Sequence, residues 1–489
     1  MQPRLGPATI ALALLLVIAG CSAPIAGDGT MRTADGPART DAGGPSPTPA
    51  TAAAGTATDA ASTETAKTAE TTEPGEPTRT TTAGQRPTTT RPRTGGPPDV
   101  AVEGGSLPVD PGIVFARVQD IAGTDASPPE TVRVVGNRSA LFGNANNVST
   151  GGPAPLLEFY RLVGVRATGR GNESAFERME GGITTGFGTV RIYPGEEPSA
   201  TAVEPILAHE FAHYLEVADR RPAQMVRRLP EPTTTDGRFV RRSVREGAAV
   251  WIETAYVDRH VPNGTSGIDR TERVYDLYPR GSLGRYGMAQ YVFGYRYVRS
   301  RVDDPAALGA VYEQPPRTSE QVLHGLPRGT EPPAPLSVAI DGGGTRYAGD
   351  AADRLGEAFV RAALENGVAT DRAAAAATGW GDDRLAFVRR DGDVHFVWVL
   401  RWDEAANATA FATAARELLD TRGNRTEGGW IVDGTRTELR RPTANTTVLV
   451  AGTEAFVRGV TVTTEGAAVT IAPSTTNATA RVGPVRPTA

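Results

Sequence analysis

Between residues 199 and 215 the apolar positions Val203, Ile206, Leu207 and Phe211 recur near the helical period, which predicts a helix with one buried stripe. Pro198-Ser199 fits its start: Ser can accept from the free N–H groups of a first turn, and Pro is tolerated there. Residues 188–194 alternate apolar and polar and end on Pro194, which predicts a strand just before this helix. Upstream, the pattern gives a helix over 112–121, a strand over 131–135 and a helix over 155–163. Downstream, 244–253 reads as a helix in which Gly247, Ala248 and Ala249 permit close approach to a neighbour. Residues 285–295 form a tyrosine-rich helix, and 316–324 a short capped one.

A Pro/Gly-rich break at 326–335 separates a second series. Helices are expected at 356–364 and 371–377. A β-hairpin is expected from 385–389 and 395–401 around Asp391-Gly392-Asp393, followed by a helix at 405–419 and a strand at 446–451. Both ends lack such patterning. Residues 1–20 hold Arg4 and an apolar run over 8–19, too short for a comfortable bilayer span and in keeping with a signal peptide. From 21 to 98 the chain is Thr, Ala, Pro and Gly without aromatics, a composition that cannot bury enough surface to offset its ordering entropy; a disordered stalk is expected. A polar tail is expected over 460–489. The roughly 360 residues between suit two modest domains, 99–330 and 331–459.

Within the first helix lies Ala208-His209-Glu210-Phe211-Ala212-His213. Helical positions four apart share a face, so His209 and His213 would aim two imidazoles at one point, as a zinc ion requires. Glu210, one step around, lies close enough to take a proton from a water beside that metal. The chain has five histidines, and two fall in this pentad. A zinc site with three protein ligands needs one more. Asp219 stands at the sixth position after His213, and Glu246 lies 33 positions on in Val244-Arg245-Glu246-Gly247-Ala248-Ala249, sharing a face with Glu253.

Together these motifs resemble the gluzincin metallopeptidases, whose third ligand is the Glu of an E-G-x-A-type helix. The resemblance implies an α+β, zincin-like domain with a mixed sheet and a two-helix metal site, followed by a smaller α+β module. It implies Zn2+ held by His209, His213 and Glu246, and Glu210 as general base. It also implies that the strand at 188–194 forms the sheet edge along which a peptide lies. Tyr286, in Tyr286-Gly287-Met288-Ala289, is similar to the Tyr that such enzymes place against the oxyanion; an aromatic packing face is the plainer alternative. The Arg/Pro/Thr-rich insert from Arg220 to Arg242 would have to loop out. His260 and His324 read as structural. Ala377-Thr378-Gly379-Trp380-Gly381-Asp382-Asp383-Arg384 resembles part of a module that follows the metal helices in a group of prokaryotic surface proteins, and reads here as a structural turn.

Ile18-Ala19-Gly20-Cys21 resembles the lipobox of prokaryotic lipoproteins, which implies lipidation of Cys21 and a protein anchored on the outer face of the membrane. Cys21 is the single cysteine, so no internal disulfide can form. Eight of eleven asparagines lie in glycosylation sequons: Asn137, Asn147, Asn172, Asn263, Asn407, Asn424, Asn445 and Asn477. With one lysine, Lys67, against fifty arginines, the chain is similar to haloarchaeal surface lipoproteins. The net charge of −5, with no basic patch standing out, argues against a nucleic-acid partner. Two functions remain in view: a cell-surface zinc peptidase acting on a peptide or protein substrate, and a non-enzymatic envelope-binding protein whose zinc is structural.

Overall fold

The computed structural model describes residues 96–142, 154–167, 178–341, 352–390 and 392–474. The expected signal peptide, Cys21, nearly all of the stalk, and Asn147, Asn172 and Asn477 lie outside them. The first layer is a mixed sheet. Strands β1 (Ala101–Glu103), β2 (Thr131–Val134) and β4 (Val190–Tyr193) run parallel, and β3 (Gly181–Thr184) joins antiparallel to β4. The order is β1-β2-β4-β3. The strand expected at the sheet edge, β4, is therefore interior, and β3 forms the edge. Val190 and Ile192 are fully buried, which fits a strand paired on both sides.

Helices α1 (Pro111–Ala122) and α2 (Ala154–Leu162) precede the long helices that carry the chemistry, α3 (Ala200–Ala218) and α5 (Thr235–His260). Ser199 caps α3 as expected, its hydroxyl accepting from Ala202 N at 3.3 Å. The arginine-rich insert does not loop out. It forms α4 (Arg221–Arg228) and then the first turns of α5, which Thr234 caps. Helix α6 (Gly267–Leu277) turns the chain back, and α7 (Leu283–Arg301) crosses α5. At that crossing two glycines face each other: a Cβ on Gly247 would strike the backbone of Gly294, and one on Gly294 would strike that of Ser243. The short helices α8 (Gly309–Glu313) and α9 (Ser319–His324) close this part.

Beyond it lie β5 (Ser337–Ile340), α10 (Glu357–Leu364) and α11 (Thr370–Ala377), then the expected hairpin of β6 (Trp380–Arg390) and β7 (Asp393–Trp402), and α12 (Ala405–Arg422). Strands β8 (Gly423–Thr426), β9 (Gly429–Val432), β10 (Thr435–Thr443) and β11 (Thr446–Gly452) complete a six-stranded sheet of order β6-β7-β11-β10-β9-β8. The Gly379–Asp383 stretch does more than turn. Asp383 accepts from the backbone N–H groups of Leu355 and Gly356 and from the indole N–H groups of Trp380 and Trp398, at 2.8–3.0 Å. Asp382 pairs with Arg354 at 2.7 Å.

The polar tail expected from residue 460 is strand in its first part. After α13 (Glu454–Gly459), β12 (Thr461–Glu465) and β13 (Ala468–Ala472) pair antiparallel, and β13 adds in parallel to β5. Val469 and Ile471 are buried there; their alternation is hidden in a Thr-rich composition. Nor does the Pro/Gly-rich break separate two cores. Phe159 stacks on Phe359 and meets Trp398 edge-on, so the largest apolar core spans both series, while a second core lies wholly within the later one. A composition break marks a connection, not a gap in packing. No helix among the described residues is long and apolar enough to cross a membrane.

Candidate metal centre

Helix α3 is buried on almost every side. Ala208, Phe211, Ala212 and Leu215 pack into the core around the two histidines, which carries His209 and His213 inside with them. Helix α5 brings Glu246 to the same point. His213 Nε2 lies 3.2 Å and His209 Nε2 3.6 Å from Glu246 Oε2, and the three ligand atoms all fall within 4.8 Å of one another. Tetrahedral ligands at zinc distances stand about 3.4 Å apart, so little adjustment would seat an ion among them. Glu246 is fully buried and its Oε1 has no hydrogen-bond partner among the described residues. An ionised carboxylate so placed calls for a cation. The group can hold a metal ion.

Each histidine is fixed from behind by a carboxylate. His209 Nδ1 lies 3.1 Å from Glu253 Oε2, and His213 Nδ1 3.1 Å from Glu216 Oε2. A carboxylate on Nδ1 selects the tautomer that leaves Nε2 as a lone-pair donor toward the metal. The carboxylates are braced in turn. Arg270 donates to Glu253 Oε1 through Nε and one terminal nitrogen, at 3.0 and 2.7 Å. Arg245 donates to Glu216 at 3.1 Å, and the Tyr312 hydroxyl donates to its other oxygen.

The electrostatics follow from this arrangement. Burial opposes ionisation of Glu246, but the neighbouring histidines override it and hold its pKa well below the usual carboxylate range. Glu216 and Glu253 are likewise lowered against the burial penalty, Glu216 by His213 and Arg245 and Glu253 by Arg270 and His209. Glu210 goes the other way. Burial raises its pKa, and the histidines and a Thr184 hydrogen bond offset only part of that. Two carboxylates beside the same histidines are thus pushed in opposite directions, Glu246 lowered and Glu210 raised.

The remaining expectations divide. Asp219 ends α3 and pairs with Arg221 at 2.8 Å, so it takes no part in the centre. Tyr286 is not brought to it either. Its ring packs on Phe239 and Phe359, and its buried hydroxyl, near Tyr160, Asp236 and Asp353, makes no hydrogen bond among the described residues. The aromatic of α7 that reaches the centre is Tyr291, whose ring stacks on His209 with centroids 6.3 Å apart. His260 packs on Tyr256, and His324 pairs with Glu357 at 3.1 Å, both structural. Of the sequons described, Asn137, Asn263 and Asn424 are exposed. Asn407 spends its amide on Thr378 O and on capping α12, which leaves it poorly disposed to a glycan.

Five residues that complete the centre escaped the sequence reading: Thr184, Glu216, Arg245, Arg270 and Tyr312. Glu216 has a local signal, standing three positions after His213 on the same helix face. Arg270 and Tyr312 arrive from other helices and have none.

Residues 345–481 match a family described as Domain of unknown function (DUF8575). The match takes in the six-stranded sheet and leaves the metal centre outside it. No curated protein and no solved structure matches the chain.

Proposed function

We propose that the chain is a zinc-dependent peptidase of the gluzincin type, held at the cell surface by a lipid on Cys21. The observation that carries this reading is the convergence of His209, His213 and Glu246 with Glu210 alongside. Two nitrogen donors and one carboxylate suit zinc and leave a coordination position for substrate chemistry. Bound zinc would supply Lewis acidity, polarising the scissile carbonyl and easing loss of a proton from the attacking water. Glu210, buried and with its pKa raised, would receive that proton and hand it to the leaving amine nitrogen as the C–N bond breaks. Glu253 and Glu216 would hold the imidazoles in register, and Tyr291 would screen one face of His209 from water.

One observation favours a second reading, in which the metal is structural and the protein binds an envelope partner. His209 is 7% exposed, Glu210 3%, and His213 and Glu246 0%, a degree of enclosure that suits a closed site. Glu210→Gln separates the two. It removes the base and leaves all three ligands in place. The peptidase reading expects one zinc per chain in both proteins, and hydrolysis of a broad peptide library that falls about 10²-fold or more in the variant. A zinc-loaded wild type that cleaves nothing would leave the structural reading standing.

A further inference from the structure

We propose that the edge strand β3 is the element that aims Glu210, with Thr184 as its positioning residue and Gly182 as the clearance beneath it. This rests on the peptidase reading above, in which Glu210 moves the proton. Residues 182 and 184 share one face of β3, and that face lies against α3. Thr184 Oγ1 stands 2.8 Å from Glu210 Oε2 and 2.9 Å from Glu210 main-chain O, and Thr184 is 1% exposed. A Cβ placed on Gly182 would sit 2.5 Å from Glu210 Cγ and 2.8 Å from Oε1. The carboxylate therefore lies flat along the strand, one oxygen over Gly182 and the other at Thr184.

Thr184 Oγ1 lies within hydrogen-bond reach of both the carboxylate and the main-chain oxygen of one residue, so a single hydroxyl fixes the Glu210 side chain against its own backbone. A side chain that only propped the helix would need the main-chain acceptor alone; this one also reaches the carboxylate. A methyl in place of the hydroxyl would leave Glu210 in the same space with its orientation unfixed.

Zinc-loaded full-length protein tests this with Thr184→Val, Thr184→Ser and Gly182→Ala. Thr184→Val should lower kcat about 10- to 100-fold, the scale of a misplaced catalytic group, with KM and zinc affinity within about 3-fold of wild type. Thr184→Ser should restore most of kcat. Gly182→Ala should lower kcat in the same way, because Glu210 must move. A denaturation cycle supplies a readout independent of hydrolysis: Thr184→Val should lower Tm more in the wild-type background than in Glu210→Ala, where only the main-chain acceptor of residue 210 remains. Full kcat in Thr184→Val, failure of Thr184→Ser to recover, or additive Tm changes in the cycle would each overturn the positioning role. A wild type inert on all peptides would overturn the peptidase reading and the proposal with it, a result distinct from an active wild type whose variants are unchanged.

Discussion

Glu253 stands 3.1 Å behind His209, on the face of the ring away from the metal-binding nitrogen, and Arg270 donates to its other oxygen. The carboxylate is fully buried. It therefore acts on the centre through His209, and its charge is set by a helix, α6, that contributes no ligand.

Glu253→Gln keeps the volume and gives up the charge. Losing a carboxylate behind a ligating histidine costs about 10- to 100-fold in metal affinity, which competition with a chelator would measure. Zinc binding as tight as in wild type would show that His209 needs no such support.

Gly294→Ala tests the helix crossing. The added methyl would meet the Ser243 carbonyl, which is backbone and cannot swing away. The two helices must separate, at a cost on the order of 1–3 kcal/mol for overpacking. Tm should fall by several degrees, and zinc affinity should fall too, since Glu246 lies on the helix that is displaced. An unchanged Tm would show that the crossing is looser than the contact implies.

Asp236 makes stability depend on pH. Burial raises its pKa to about 7, with Ser319 and Arg354 offsetting part of the effect. An unfolded Asp titrates near 3.8, so the folded state holds the proton more tightly. For this group stability is greatest below the unfolded value and is lost as pH rises toward 7. Three pH units correspond to about 4 kcal/mol as an upper figure. Asp236→Asn should flatten this component: between pH 4 and 8 the Tm of wild type should drop relative to that of the variant. Parallel curves would place the Asp236 pKa near its ordinary value in the fold.

Cys21→Ser addresses the anchor, which lies outside the described residues. The variant should appear in the medium or remain unprocessed. Detergent-requiring membrane association identical to wild type would exclude lipidation at this position.

The candidate centre was legible because its residues obey a local rule. His209 and His213 are one turn apart, and the small residues after Glu246 announce a close helix crossing, which Gly247 and Gly294 provide. Tyr286 shows where such rules stop. Tyr286 and Tyr291 lie on one helix, five positions and thus about 140° apart, and nothing in the sequence says which face meets α3. The arginine-rich insert misled for a related reason. Its helix α4 buries only Met225 fully, so no apolar stripe betrays it. The strands after residue 460 were hidden because threonine supplies their exposed positions while Val469 and Ile471 supply the buried ones.

The parallel pairing of β5 with β13 bears on how the second half of the chain could be handled in isolation. The family match begins at residue 345, after β5 has already been laid down at Ser337–Ile340. A fragment trimmed to that boundary would lose the strand that covers β13, together with the apolar contacts of Leu336, Val338 and Ile340. It would bare a row of backbone N–H and C=O groups beside the buried valine and isoleucine of β13. Such an edge recruits a strand from another molecule, so the trimmed fragment should self-associate more strongly than one begun before Leu336, both of them baring the core face shared with Phe159.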